Sequence, residues 1–211
     1  MKKILTIVLG VLLCFGAIGG SFVLAKHLDE NPPTSVENNA SEDETDDTNE
    51  PTTKLVKVWE LCTDEADLTV GDQIVLVASS NERALSITQN TNNRAATKLV
   101  KEDDSITITE DVQVITLEEG VVENTFAFYV ETGYLYAAST VSNHLKTKSV
   151  LDTNGSWSID IGEDSTANIV AQGENIVNVL QYNSNNHIFS CYTSTQEAVL
   201  IYKLVEREIE L

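Results

Sequence analysis

A short arrangement recurs three times in this chain, and it restricts the available folds more than any other feature. GYLYAASTVSNHLKTKS (133–149) reads as two strands, Tyr134–Ala138 and His144–Lys148, joined by a polar turn that ends in Asn143. ALSITQNTNNRAATK (84–98) comes before it, and NVLQYNSNNHIFSCY (178–192) comes after it, with related layouts. Leu85, Leu135 and Leu180 fall at matching places. Asn93, Asn143 and Asn186 end the turns, each followed by a basic or imidazole residue: Arg94, His144 and His187. Ala95, Leu145 and Ile188 come next, ten, ten and eight residues after the respective leucine, so the third turn is shorter.

The surrounding sequence extends each copy into a four-stranded unit. From about Lys54 onward, short runs rich in Val, Ile, Thr and Tyr alternate with Asn, Gly, Asp and Ser clusters, and no helix-length stretch has a 3.6-residue period. Unit one comprises IVLVA (74–78), ALSI (84–87), RAATKLV (94–100) and VQVITLE (112–118). Unit two comprises FAFYV (126–130), YLYAA (134–138), HLKTK (144–148) and SWSIDI (156–161). Unit three comprises ANIVA (167–171), NVLQY (178–182), HIFSCY (187–192) and AVLIYKL (198–204). Three such units predict an all-β, β-trefoil-like domain over residues 54–211. Leu55–Cys62 is surplus to the twelve strands and is expected to pair beside the last one. Asp103-Asp104-Ser105-Ile106-Thr107 is expected to insert an extra strand-like excursion into unit one.

Two different segments precede this domain. Met1-Lys2-Lys3 is followed by 22 uncharged residues, Ile4 to Ala25. At a helical rise of about 1.5 Å per residue they reach roughly 33 Å, the thickness of a bilayer core. Residues 1–25 therefore read as a transmembrane anchor, or as a signal peptide cleaved after Val23-Leu24-Ala25. Both readings export the rest of the chain, to the membrane-anchored cell surface in the first case and by secretion in the second. Residues 26–53 carry all three prolines and nine acidic residues, from Asp29 to Glu50, against Lys26. Such a segment buries too little apolar surface to offset its ordering entropy and reads as a disordered acidic spacer. Asn39-Ala40-Ser41 and Asn154-Gly155-Ser156 match the glycosylation sequon.

Charge and motif content remove several classes of function. The formal net charge is -20, from 33 acidic and 13 basic residues, which disfavours nucleic acid as a partner. Cys14, Cys62 and Cys191 lie far apart and form no metal-like cluster, so no metal or other cofactor is expected. Cys62 and Cys191 read as a disulfide or as buried thiols. Asp152-Thr153-Asn154-Gly155-Ser156 lacks the glycine and glutamate spacing of a calcium loop, and Asn154-Gly155 reads as a two-residue hairpin turn. GxSxG, HExxH and P-loop patterns are missing, and no carboxylate pair is set apart by apolar surroundings, so an enzyme is not expected.

GYLYAAS, SNHLKT, the Trp157-Ser158-Ile159 strand, YNSNNHIFSCY and the final Tyr202-Lys203 together resemble a module attached to many bacterial secreted and surface proteins. That module often accompanies extracellular nuclease, immunoglobulin-like or lamin-tail domains, and the resemblance implies an extracellular accessory domain. The Gln-x-Trp repeat of ricin-type trefoil lectins is absent. On this reading the domain recognises an extracellular glycan or protein, and the alternatives are a non-binding structural head and an enzyme of unrecognised type. The candidate ligand-binding residues are Tyr134, Tyr136, Asn143 and His144, with Asn93, Arg94, Asn186 and His187 at the corresponding turns. The competing reading of these turns has the asparagines adopting turn conformations and their neighbours facing solvent.

Overall fold

The computed structural model of the protein describes residues 53–102, 105–193 and 195–210. The membrane-segment and acidic-linker expectations lie outside the described residues, apart from Thr53, which opens a strand. No helix among the described residues is long and apolar enough to cross a membrane.

Fifteen strands follow in order: β1 Thr53–Leu61, β2 Gln73–Ala78, β3 Arg83–Gln89, β4 Arg94–Lys98, β5 Val100–Glu102, β6 Ser105–Thr107, β7 Ile115–Glu119 and β8 Phe126–Tyr129. The remainder are β9 Tyr134–Ala137, β10 Leu145–Lys148, β11 Ser156–Ile161, β12 Ala167–Ala171, β13 Val179–Asn183, β14 Ile188–Tyr192 and β15 Val199–Glu210.

The pairing resolves into a closed ring and three hairpins. Six strands pair in a cycle, β2 with β7, β7 with β8, β8 with β11, β11 with β12, β12 with β15, and β15 back to β2. These are the first and last strands of the three units. The middle two strands of each unit form a hairpin: β3–β4, β9–β10 and β13–β14. A six-stranded barrel from outer strands with three hairpins from inner ones is the β-trefoil plan, and it leaves no open edge in the ring.

Hydrogen bonds link the hairpins in the same cyclic sense. Leu145 N–H of unit two donates to Asn92 O of unit one at 2.9 Å, and Ala96 N–H of unit one donates to His187 O of unit three at 3.1 Å. The Ser190 hydroxyl of unit three completes the cycle by donating to Asn143 O of unit two at 2.6 Å. Leu85, Leu135 and Leu180 are buried in one shared apolar cluster under these hairpins. Trp157 joins that cluster, stacked on Phe128 at 5.5 Å, with its indole N–H donating to Leu135 O at 3.2 Å. Tyr182 and Phe189 pack at 5.1 Å within the same core.

Strand periodicity explains why β2 and β15 read as continuous apolar runs. In β2, Ile74, Leu76 and Ala78 face the barrel core, whereas Val75 and Val77 face a second cluster on the outside. In β15, Val199 and Ile201 face inward, and Leu200 and Tyr202 face the outer cluster. That outer surface needs a cover, and the extra strands supply it. β1 pairs antiparallel along β15 from Thr53↔Glu210 to Leu61↔Tyr202, and β6, paired with β5, adds to β1. Trp59, Leu61 and Ile106 fill the resulting layer. Both extra elements therefore take the positions read from the sequence.

Some local expectations are corrected. Asn154-Gly155 is not a hairpin turn: β10 and β11 do not pair with each other, and Thr153–Gly155 forms a 3₁₀ turn. The Asp152 carboxylate accepts from Asn154 N–H there, and a side-chain-capped turn fits the change of direction between hairpin and barrel. Cys62 and Cys191 are both buried free thiols, which leaves the disulfide alternative aside. The tight β8–β9 turn depends on Gly133, whose φ of +138° suits glycine alone and whose added Cβ would collide with the Lys148 carbonyl.

The three leucines provide a test of the repeat. Leu135→Ala is expected to lower unfolding free energy by about 2–5 kcal/mol in urea, with comparable losses for Leu85→Ala and Leu180→Ala. A small effect at one site alone would show that its hairpin is not part of the shared core. A second test concerns Asp72, which pairs with Lys203 of β15 at 2.8 Å. Burial opposes ionisation there, yet the Lys203 ammonium and the Thr69 donors hold its pKa below the ordinary 3.8. A lowered folded pKa gives stability that is present above the unfolded value and lost as pH falls through the folded one. Asp72→Asn should therefore reduce stability at neutral pH, with the gap to the natural protein closing in acid-titrated melts; a pH-independent gap would refute this linkage.

Candidate functional site

The hairpin registers show which residues of the three copies are equivalent. Leu85 stands opposite Ala96, Leu135 opposite Thr147, and Leu180 opposite Cys191. Two positions earlier on the returning strands, and so on the same inward face, come Arg94, Leu145 and Phe189. All three are buried, with exposures of 3%, 0% and 0%. Two of these inward positions are apolar, and unit one fills the third with a guanidinium. The expected equivalence of Arg94, His144 and His187 is thus corrected. Turn lengths differ, and β3–β4 shifts register between Leu85 and Gln89, so counting from the leucines misplaces the residues beyond the turns.

Arg94 is held without a carboxylate. Its Nη1 donates to Ile87 O at 2.9 Å and to Gln113 Oε1 at 3.1 Å, and its Nη2 donates to Thr147 Oγ1 of unit two at 2.5 Å. Gln113 is itself buried and donates through Nε2 to Val114 O at 2.8 Å. The Arg94 Nε is buried and has no hydrogen-bond partner. Burial pulls the guanidinium pKa below its ordinary value, but arginine remains charged in proteins. Of five N–H donors, three are used, which leaves the Nε–H and one Nη2–H.

A groove of 490 Å³ lies against this side chain, between units one and two. Ile87, Gln89 and Arg94 line it from unit one, and Thr132, Lys146, Thr147, Lys148 and Ser149 line it from unit two. It contains three cations and no carboxylate, in a chain whose net charge is -20. Half-exposed Ile87 supplies an apolar patch, and the Thr147 hydroxyl accepts from Arg94 while keeping its own hydrogen free to donate. Ile87, Arg94 and Thr132 also border an adjoining hollow, where Glu110 and Glu131 are found. Glu131 holds the β8–β9 turn in a left-handed conformation with φ of 56°.

The remaining candidates are distributed elsewhere. Tyr134 and Tyr136 alternate with core Leu135 and point outward from β9. The Tyr134 hydroxyl donates to Glu118 at 2.8 Å, and that hydrogen bond raises its pKa. Tyr136 lies beneath the Lys148 ammonium, 4.2 Å from the ring centroid, and Lys148 also pairs with Asp152. Asn143 is exposed and His144 half-buried, and neither they nor the two tyrosines line the groove. Asn93 Oδ1 accepts from Asn90 Nδ2 at 2.8 Å, and the Asn186 N–H donates to Asn183 Oδ1 at 3.0 Å. In the third turn the left-handed residue is His187, with φ of 53°, and its Nδ1 lies 3.0 Å from the Tyr182 hydroxyl. The eight candidates therefore do not form one site, and Arg94 alone belongs to the groove. Thr147, Gln113 and Lys146 were missed; the available signal was the collection of basic residues 94, 146 and 148 in so acidic a chain. Among the described residues, no group of three or more His, Cys, Asp or Glu side chains is placed to hold a metal ion.

No family model and no curated protein matches this sequence. Among solved structures the chain is similar to a GH43 β-1,3-galactosidase, at 12% identity and a TM-score of 0.49, over 68% of this chain and 29% of that one. It is also similar to a BEL β-trefoil, at 14% identity and a TM-score of 0.48, over 65% of this chain and 96% of that one. A designed threefold-symmetric protein, ThreeFoil, shares 15% identity at a TM-score of 0.40, over 66% of this chain and 99% of that one.

Gln113 is the one side-chain acceptor from outside the two hairpins that holds Arg94. Gln113→Leu is expected to cost about 1.5–3 kcal/mol, the range for a hydrogen bond to a charged group. Unchanged unfolding in urea would mean that the guanidinium is satisfied some other way.

Proposed function

We propose that this chain is an exported, surface-displayed binding module that recognises an extracellular glycan in the groove between units one and two. The observation that carries the reading is the groove itself: a concave site within the size range of small-ligand pockets, with an apolar patch at Ile87 and converging donors from Arg94 and Thr147. Hydroxyl-rich ligands need such donors, and an apolar surface beside them suits the C–H face of a sugar ring. The barrel and its linked hairpins hold most of the lining residues on strands, Thr132 and Ser149 excepted, which favours recognition by a preformed surface. The uncharged stretch after Met1-Lys2-Lys3 and the acidic segment behind it support display on the outer side of a membrane.

The reading is tested by applying the full chain, solubilised in a mild detergent, to a glycan array. Saturable binding to a restricted set of glycans is expected, without turnover of the bound sugars. An array with no retained glycan would refute glycan recognition, and release of a shortened product would replace binding with catalysis.

A further inference from the structure

The groove carries a more specific conclusion, which rests on the glycan-binding reading above. A charged side chain in the apolar layer of a repeat is costly unless it is paired, and here the pairing is incomplete. Arg94 is 3% exposed, has neutral acceptors only, and keeps a buried Nε with no partner. The equivalent positions in the other units are Leu145 and Phe189, so the fold does not require a cation there. An anion on the groove side would take the remaining Nη2–H and supply the opposite charge that its neutral acceptors lack.

We propose that the groove takes a single acidic sugar residue, whose carboxylate or sulfate oxygens bind the Thr147 hydroxyl and the free Nη2–H of Arg94, with Lys146 at the rim. Thr147 is central to this arrangement. Its oxygen already accepts from Nη2, so its hydroxyl hydrogen is left to donate, and an anion is the strongest acceptor it could meet. Lys148 is already engaged by Asp152 and the Tyr136 ring, whereas Lys146 has no ion-pair partner among the described residues. Glu110 and Glu131 line the adjoining hollow that Arg94 also borders, whereas the groove has no carboxylate, so the acidic group enters from the side of β10. A net charge of -20 repels long polyanions, and the small groove accommodates one charged sugar within a short oligosaccharide. Ile87 then lies beside the uncharged face of the ring.

Calorimetric titration of the detergent-solubilised full chain with three short oligosaccharides tests this: one ending in a uronic acid, one carrying a sulfate ester, and one neutral. Saturable binding of an acidic probe at one site per chain is expected, with the two acidic probes distinguishing carboxylate from sulfate. Thr147→Val should weaken that binding about tenfold or more, while Thr147→Ser should retain it, because the hydroxyl and not the fold is what the anion needs. Arg94→Lys keeps the charge without the fork and should also weaken binding. Lys146→Glu, at a half-buried rim position, should weaken it with little change in the melting curve. His187→Ala, in the turn of unit three, should have no effect. Preference for the neutral probe, with no acidic probe bound, would overturn this inference while leaving a glycan-binding module in place. Binding of none of the three, together with a blank array, would overturn both. Acidic-probe binding indifferent to Thr147→Val and Lys146→Glu would place the site elsewhere and overturn the assignment to this groove.

Discussion

Closure of the six-stranded ring is the constraint on which everything else in this domain depends. Each unit contributes two strands to it, and no unit can satisfy the backbone edges of its own pair without the next unit. The hairpins cover the core below the ring, and their cyclic hydrogen bonds through Asn92, His187 and Asn143 carbonyls hold them against one another. Leu85, Leu135 and Leu180 are buried because this assembly places them under the same cap. The same closure accounts for β1 and the β5–β6 excursion: closing β15 onto β2 leaves an apolar outer face, and those strands cover it.

Repetition also shows where a residue departs from structural need. At the inward position of the returning hairpin strand, Leu145 and Phe189 meet the requirement of the core, and Arg94 does not. Its guanidinium is accommodated by Gln113, Thr147 and a backbone carbonyl, and it borders a groove lined with cations in an acidic protein. Departures from local consistency of this kind concentrate where structure has been traded for function.

The threefold plan was legible in the sequence because strand runs and polar turns recur in it, and because the surplus runs were apolar enough to demand a partner. The site was less legible. In the sequence Arg94 stands as one of three turn-following residues at matching places; the register shift within β3–β4 and the shorter third turn put it in a different layer from His144 and His187. Thr147 lies 53 residues further along the chain, and nothing in its neighbourhood distinguishes it from other strand threonines. Tyr134 and Tyr136 are conspicuous as aromatics, yet the Tyr134 hydroxyl serves Glu118 and the Tyr136 ring serves Lys148 on the outside of the hairpin.

The stretch GYLYAASTVSNHLKTKS illustrates both sides. Its sequence alone determined that Leu135 and Leu145 face the core and that a polar turn joins their strands, because the side-chain period of two is a local property. Its pairing with the first unit was decided only by tertiary structure, through the Leu145–Asn92 and Thr147–Arg94 contacts. Contacts between units depend on register, and register is set by turn length and by closure of the barrel, so they cannot be read from either strand alone.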